Sequence, residues 1–427
     1  MPAKRIEMIA CRNLTRPAGR AAIAALLLAG PTGTALAQES HGPDRITVTP
    51  IVDARLRFET VDQPVLSADA LTLRVRGGVE ARLGDFSLLA EAEATIAPVD
   101  DYNAFPFAVP GSDQSRPAHA LIADPQNAEI NRLQLHYRFR DGAVTVGRQR
   151  INLDDQRWVG SVGWRQNVQT FDAVRGEARL GPISADLTYA ISQRTIFGED
   201  AGPRTEVDGD FVFAGLSARQ GVVQGKLFAY LIDFDESFAL ANSSQTYGGF
   251  VTAAVPIGGD ARLNLRASYA RQSDYGRNPF DFAADYWALE AGTSLAGFTL
   301  AAGFEQLGSD NGRAVQTPMA TLHRFNGWAD MFLTTPPNGL NDYYVSVGRT
   351  FEGVRLLPGL NANLAFHQFD SAVGGIDYGR EWDASVGFRA GPFGVLLKFA
   401  DYDAQGFGVD TRKVWLQLEW SLAPPRR

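Results

Sequence analysis

After Gln38, polar and apolar residues alternate with period two in runs of about 8 to 12 residues, the pattern of strands with one greasy and one wet face. In Ala261 to Ala270, Leu263, Leu265, Ala267 and Tyr269 share one face, while Arg262, Asn264, Arg266 and Ser268 share the other. Ile130 to Arg140 sets Leu133, Leu135, Tyr137 and Phe139 against Arg132, Gln134, His136, Arg138 and Arg140. The last run sets Val414, Leu416, Leu418 and Trp420 against Lys413, Gln417 and Glu419.

The connections alternate too. Tight turns fall at Gly84-Asp85, Asp141-Gly142, Gly181-Pro182, Gln220-Gly221, Gly258-Gly259, Ala296-Gly297, Gly353 to Gly359 and Gly391-Pro392. Longer segments lie between them, around 61–68, 100–128, 151–167, 194–210, 234–245, 274–282, 308–342, 370–380 and 403–410. Eight short and nine long connections join 18 strands. The expected fold is therefore an all-β transmembrane antiparallel barrel with both termini on the periplasmic, short-turn side. Aromatic residues near strand ends, among them Phe58, Tyr137, Tyr269, Trp287 and Trp382, suit two interfacial girdles. A large soluble propeller or sandwich is the alternative, and neither predicts alternating loop lengths.

The N-terminus supplies an export signal. Lys4, Arg5, Arg12, Arg16 and Arg20 precede the apolar run Ala21 to Gly30, and Ala35-Leu36-Ala37 forms a small-x-small cleavage site. Residues 1–37 are thus expected to be a secretory signal and 38–427 the barrel. Cys11 is the only cysteine, which removes disulfide frameworks and Cys-rich metal sites. No two of the five histidines have helical zinc spacing, so neither metal nor cofactor is expected.

The chain is acidic, with formal charge −8, yet 36 of its 40 basic residues are Arg. Parity along the strands places 17 basic and 9 acidic residues on the polar, lumen-facing side. A low-dielectric wall lined by one sign concentrates the opposite ion, so the lumen should favour anions. For a single inward Arg, pairing with a neighbouring carboxylate is the more ordinary role, as Arg175, Glu177 and Arg179 illustrate.

The densest polar segment runs from Val146 to Arg175 and holds Arg148, Arg150, Arg157, Arg165 and Arg175 with Asp154, Asp155, Asp172, Trp158 and Trp164. Its guanidinium forks suit carboxylates and its rings suit sugars, and it could equally be a folded-back loop pinned by Asp–Arg pairs. The string resembles the alginate export family of bacterial outer-membrane proteins. The shared elements are Gly147-Arg148-Gln149, Asp154-Asp155, Trp164-Arg165-Gln166 and Thr170-Phe171-Asp172. The resemblance implies an 18-stranded monomeric barrel, passage of anionic polysaccharide through an Arg-rich constriction, and pore roles for Arg148, Arg150, Arg157 and Arg165. With Arg132, Arg138, Arg140, Arg175, Asp154 and Asp172 these form the expected pore-lining set.

The function these features predict is an outer-membrane channel passing anionic or polyhydroxylated solutes passively, with selectivity that falls when Arg148 and Arg150 become Ala. The version passing small organic acids or oligosaccharides and the version passing a polymer both need a basic lumen, and segment 308–342 is a candidate lid. Expected partners are outer-membrane lipid and an anionic small molecule or polysaccharide, with periplasmic export components as further candidates and no nucleic acid. A barrel hydrolase built on His136 or His367 is the competing class, but no G-x-S-x-G motif occurs, so no catalytic residue is expected. Calcium binding at Asp100-Asp101 or Asp401 and Asp403 is weaker still, because acidic loop tips are usually solvated.

Overall fold

The computed structural model describes residues 45–259 and 261–422, so the predicted signal segment lies outside the described residues. Eighteen antiparallel strands form one sheet: β1 (Thr47–Asp62), β2 (Ser67–Leu83), β3 (Phe86–Asp101), β4 (Asn127–Phe139), β5 (Gly142–Gln149), β6 (Thr170–Leu180), β7 (Ile183–Arg194), β8 (Glu206–Gln220), β9 (Val223–Phe234), β10 (Ser244–Gly258), β11 (Ala261–Asp274), β12 (Ala283–Leu295), β13 (Phe298–Leu307), β14 (Leu340–Thr350), β15 (Asn361–Asp370), β16 (Asp377–Ala390), β17 (Phe393–Ala404) and β18 (Thr411–Ser421). Each strand pairs with its sequence neighbours, and β1 closes on β18 from Asp53↔Ser421 to Asp62↔Arg412. Closure leaves no edge with unpaired backbone groups, which a bilayer requires.

The expected strand count and short/long alternation both hold. Two connections differ in length from the expectation: only Gln63 to Leu66 join β1 to β2, and residues 351–360 make a longer link between β14 and β15 on the short-turn side. Leu133, Leu135, Tyr137, Phe139, Tyr269, Trp287 and Trp382 are exposed on the outer face, where lipid covers them. Register pairs Tyr269 with Trp287 and Phe366 with Trp382, and the ring centroids lie 4.4 and 4.8 Å apart.

The lumen departs from the expected wet interior. Inward Phe171, Phe211, Phe213, Phe228, Tyr230 and Phe250 are buried and pack with Ile151, Leu153 and Val159 of the β5–β6 connection. Two long connections, 150–169 and 308–339, fold inward and meet through a parallel bridge between Val159 and Met319. An infolded segment has an apolar side of its own, and it stays inside only where the wall offers a matching dry surface.

Candidate functional site

The β5–β6 connection crosses the lumen and is tied to strands around most of its circumference. Asp154 pairs with Lys226 of β9 at 3.0 Å, Asp155 with Arg266 of β11 at 3.0 Å, and Arg157 with Glu305 of β13 at 2.7 Å. On the other side the Trp164 carbonyl accepts from Arg57 of β1 at 2.6 Å, Gln166 donates to Thr72 of β2 at 2.8 Å, and Thr95 of β3 donates to Asn167 at 3.0 Å. The second infolded segment is held from β16 to β18. Ala329 N–H donates to Glu381 at 2.7 Å, Trp328 N–H to Asp383 at 3.2 Å, and Asp330 lies 3.4 Å from Lys413. Gly327 has φ +83° and approaches so closely that a Cβ there would collide with Glu381 Oε2. Together the two segments form a plug.

Arg165 is the plug's central cation. It is buried, pairs with Asp330 at 2.7 Å, and lies 3.6 Å from Glu59 and 3.9 Å from Asp124. Burial works against its charge, but Asp330, Glu59 and Asp124 outweigh it and raise the guanidinium's affinity for its proton. Burial would likewise raise the Asp330 carboxyl, yet His323, Lys413 and Arg165 hold it well below the usual carboxylate range. His323 is driven the other way, because burial pushes its ring well below the ordinary histidine range. The neutral tautomer that fits donates Nδ1–H to Asp330 at 2.8 Å and accepts the Lys398 ammonium on Nε2 at 2.8 Å. Trp164 stacks on His323 with centroids 4.5 Å apart, while Arg57 and Lys398 each sit 4.0 Å from the Trp164 ring.

Below the plug, the β2–β5 wall concentrates guanidinium groups. A bulge between Glu91 and Ala92 lets Asn131 and Arg132 of β4 both reach inward. Arg132 binds Glu91 at 2.6 Å, and Arg150 binds the same carboxylate and Asn131. Arg74 pairs with Asp53 but leaves Nε and Nη1 buried without partners, and Arg76 pairs with Glu93 but leaves Nη2. A cavity of about 580 Å³ is lined in part by Arg55, Arg74, Arg132, Arg150 and Arg389 with Glu80, Glu91 and Glu419.

Among the expected pore residues, Arg132 and Arg150 thus meet on one carboxylate. Arg157, Arg165 and Asp154 belong to the plug. Arg175 faces the lumen and pairs with Glu177 at 2.7 Å, while Arg138 and the highly exposed Arg140 lie at the short-turn rim. Arg148 and Asp172 leave the pore-lining set. Register puts Arg148 opposite Leu133, which is half exposed on the outer face, and opposite Asp172. The Gly147 twist at φ +110° does not move it inward, because Gln149 pairs with the buried, inward Phe171. The two side chains form a bidentate pair at 2.8 and 2.7 Å across the root of the plug segment.

The remaining candidate residues have structural partners. His136 shares a hydrogen bond with Thr145 at 2.9 Å, and His367 lies 2.8 Å from Asp342. Asp100, Asp401 and Asp403 pair with Arg116, Arg412 and Arg380. Sequence reasoning missed Asp330, His323, Glu305, Asp124 and Trp415. Parity on β13 and β18 carries a signal for Glu305 and Trp415, but a loop residue such as Asp330 has none.

A model of the alginate export family matches residues 53–370. No curated protein matches the chain. Among solved structures, Pseudomonas aeruginosa OpdO is 15% identical with TM-score 0.66, covering 88% of this chain and 97% of its own. Acinetobacter baumannii OccAB4 is 13% identical with TM-score 0.68 and the same coverage. The Pseudomonas aeruginosa outer membrane protein OpdK, solved with vanillate, is 15% identical with TM-score 0.66, covering 87% of this chain and 98% of its own. At such identities the fold is what is shared.

Proposed function

The chain belongs to the alginate export family and is an outer-membrane, porin-like channel, and we propose that it passes small anionic or polyhydroxylated solutes by passive diffusion. The observation that carries this reading is the convergence of Arg132 and Arg150 on Glu91 beside Arg55, Arg74 and Arg389 around one cavity. Guanidinium groups that outnumber their carboxylates offer unspent forks to a passing carboxylate. Several such sites, none complete, let an anion step between them rather than lodge. OpdK, of the same fold, was solved with vanillate, itself a carboxylate.

The plug favours small solutes over a polymer, since segment 150–169 is fastened on both sides of the lumen. On the same reading the mature protein is a monomer lacking residues 1–37, with its short turns and termini in the periplasm. The test is reversal potential across a planar bilayer under a KCl gradient. Anion preference should fall at least about threefold in the Arg132→Ala, Arg150→Ala double variant. A wild-type preference for potassium would reject the reading. Liposome swelling with glucuronate but not with long uronate chains would support the small-solute form.

A further inference from the structure

We infer that a collar of unpaired arginines at the short-turn mouth captures polyvalent anions, so that the channel loads them from that side. The inference rests on the channel reading and adds a direction to it. Arg82, Arg138, Arg179, Arg219, Arg262 and Arg389 each lie one residue in from a short turn, and each occupies a lumen-facing row. Register fixes the rows: Arg82 opposes Ser87, Arg179 opposes Ser184, Arg219 opposes Gln224 and Arg389 opposes Gly394. Arg138 lines a polar pocket with His136 and Gln134, and Arg262 alternates with the inward Arg266, which reaches Asp155.

Arg82 is held by Glu80 at 2.9 Å, whereas among the described residues the other five make no ion pair. All five are exposed. The contributing strands, β4, β6, β8, β11 and β16, are spread around the barrel, so the five charges encircle the mouth. Lipid headgroups do not account for them, because these rows face away from lipid.

The long-loop end has the opposite character. There Asp208, Asp210, Asp235, Asp274, Asp370 and Asp377 crowd the strand ends and adjoining loops. A positive ring at one mouth and excess carboxylate at the other set up an axial field. Such a field raises the encounter rate of anions at the positive end and repels them at the other. Multivalent anions respond most steeply, because each added charge adds to the attraction.

The test uses single channels of the full-length barrel in planar bilayers at low salt, with a trigalacturonate probe added to either side. A biotin on Asp85→Cys, captured by streptavidin, marks the short-turn side in each recording. Blocking events should be at least about tenfold more frequent from the short-turn side, and that ratio should approach one in a variant with Arg138, Arg179, Arg219, Arg262 and Arg389 all changed to Gln. Equal blocking from both sides in the wild type would overturn the collar, even if the channel remained anion-selective. Cation selectivity would instead sink the channel reading beneath it. Sidedness that persists in a folded Gln variant would also overturn the collar. Migration of unheated protein as a compact species in detergent gels shows that the variant has folded.

Discussion

Arg165 shows how much the plug depends on single groups. Its guanidinium is the shared partner of Asp330, Glu59 and Asp124, and both Glu59 oxygens are buried without a hydrogen bond. Replacing it by Met leaves those carboxylates in a dry environment with too few cations. A buried charge stripped of its partner costs about 3–5 kcal/mol, so Arg165→Met should release the plug. The expected readout is larger and noisier single-channel current, with the compact gel species retained. His323 makes the same contact pH-dependent. The folded ring resists protonation because burial disfavours the charge and the Lys398 ammonium already occupies Nε2. Its folded-state pKa lies below its unfolded value, so its contribution is complete above about pH 6.5 and lost as pH falls through that range. Each unit of pH below 6.5 then removes up to about 1.4 kcal/mol. Melting followed by tryptophan fluorescence should show a lower Tm at pH 5 than at pH 7, and His323→Gln should flatten that dependence. An equally steep decline in the variant would shift the cause to other groups.

At the scale of elements, the family motif is a hinge pin for the plug more than a set of pore ligands. Gly147, Arg148 and Gln149 end β5, Thr170, Phe171 and Asp172 begin β6, and the plug segment leaves and returns between them. Arg148 and Asp172 clasp the root on the outer face, while Gln149 donates to the Ala173 carbonyl at 3.0 Å on the inner face. The sequence marks these residues as special but gives them the wrong side. Parity counted through Gly147 puts Arg148 and Arg150 in one row, whereas β5 ends at Gln149 and Arg150 already belongs to the plug segment. Strand existence and loop alternation were legible because period-two patterning persists over many residues. The face of Arg148 was not, because regular alternation puts it in the outward row of Val144 and Val146, where a charged side chain at the strand end reads as a lumen residue although it is neutralised by Asp172. Arg148→Ala should therefore lower Tm and leave the reversal potential unchanged, while Arg150→Ala changes the reversal potential. A fall in anion preference with Arg148→Ala would return that residue to the pore.

For the whole molecule, the plug has an electrostatic role besides its steric one. The β13–β16 wall carries Glu305, Asp342, Glu381 and Asp383, all buried beneath segment 308–339 or bound to it. Strand parity alone exposes such residues to the lumen. The structure withdraws them, because the segment buries them and Asn326 and the Trp328 and Ala329 amides donate to one oxygen of each carboxylate. The permeating ion meets the guanidinium-rich remainder. That masking was beyond reach of sequence reasoning, since it depends on where a loop without regular structure comes to rest. It also makes a prediction opposite in sign to simple unblocking. Gln316 and Thr335 exchange hydrogen bonds at 2.9 and 3.1 Å, so residues 317–334 can be replaced by a short glycine linker without straining the barrel. Conductance should rise severalfold because the obstruction is gone. Anion preference should fall, because Asp342, Glu381 and Asp383 lose their plug partners and face the water, while Glu305 keeps Arg157, and Glu59 loses Arg165 when Asp330 no longer positions it. Bi-ionic potentials on the shortened protein decide the matter. Higher conductance with undiminished anion preference would mean that the acidic wall lies off the permeation path and that the plug acts by occlusion alone.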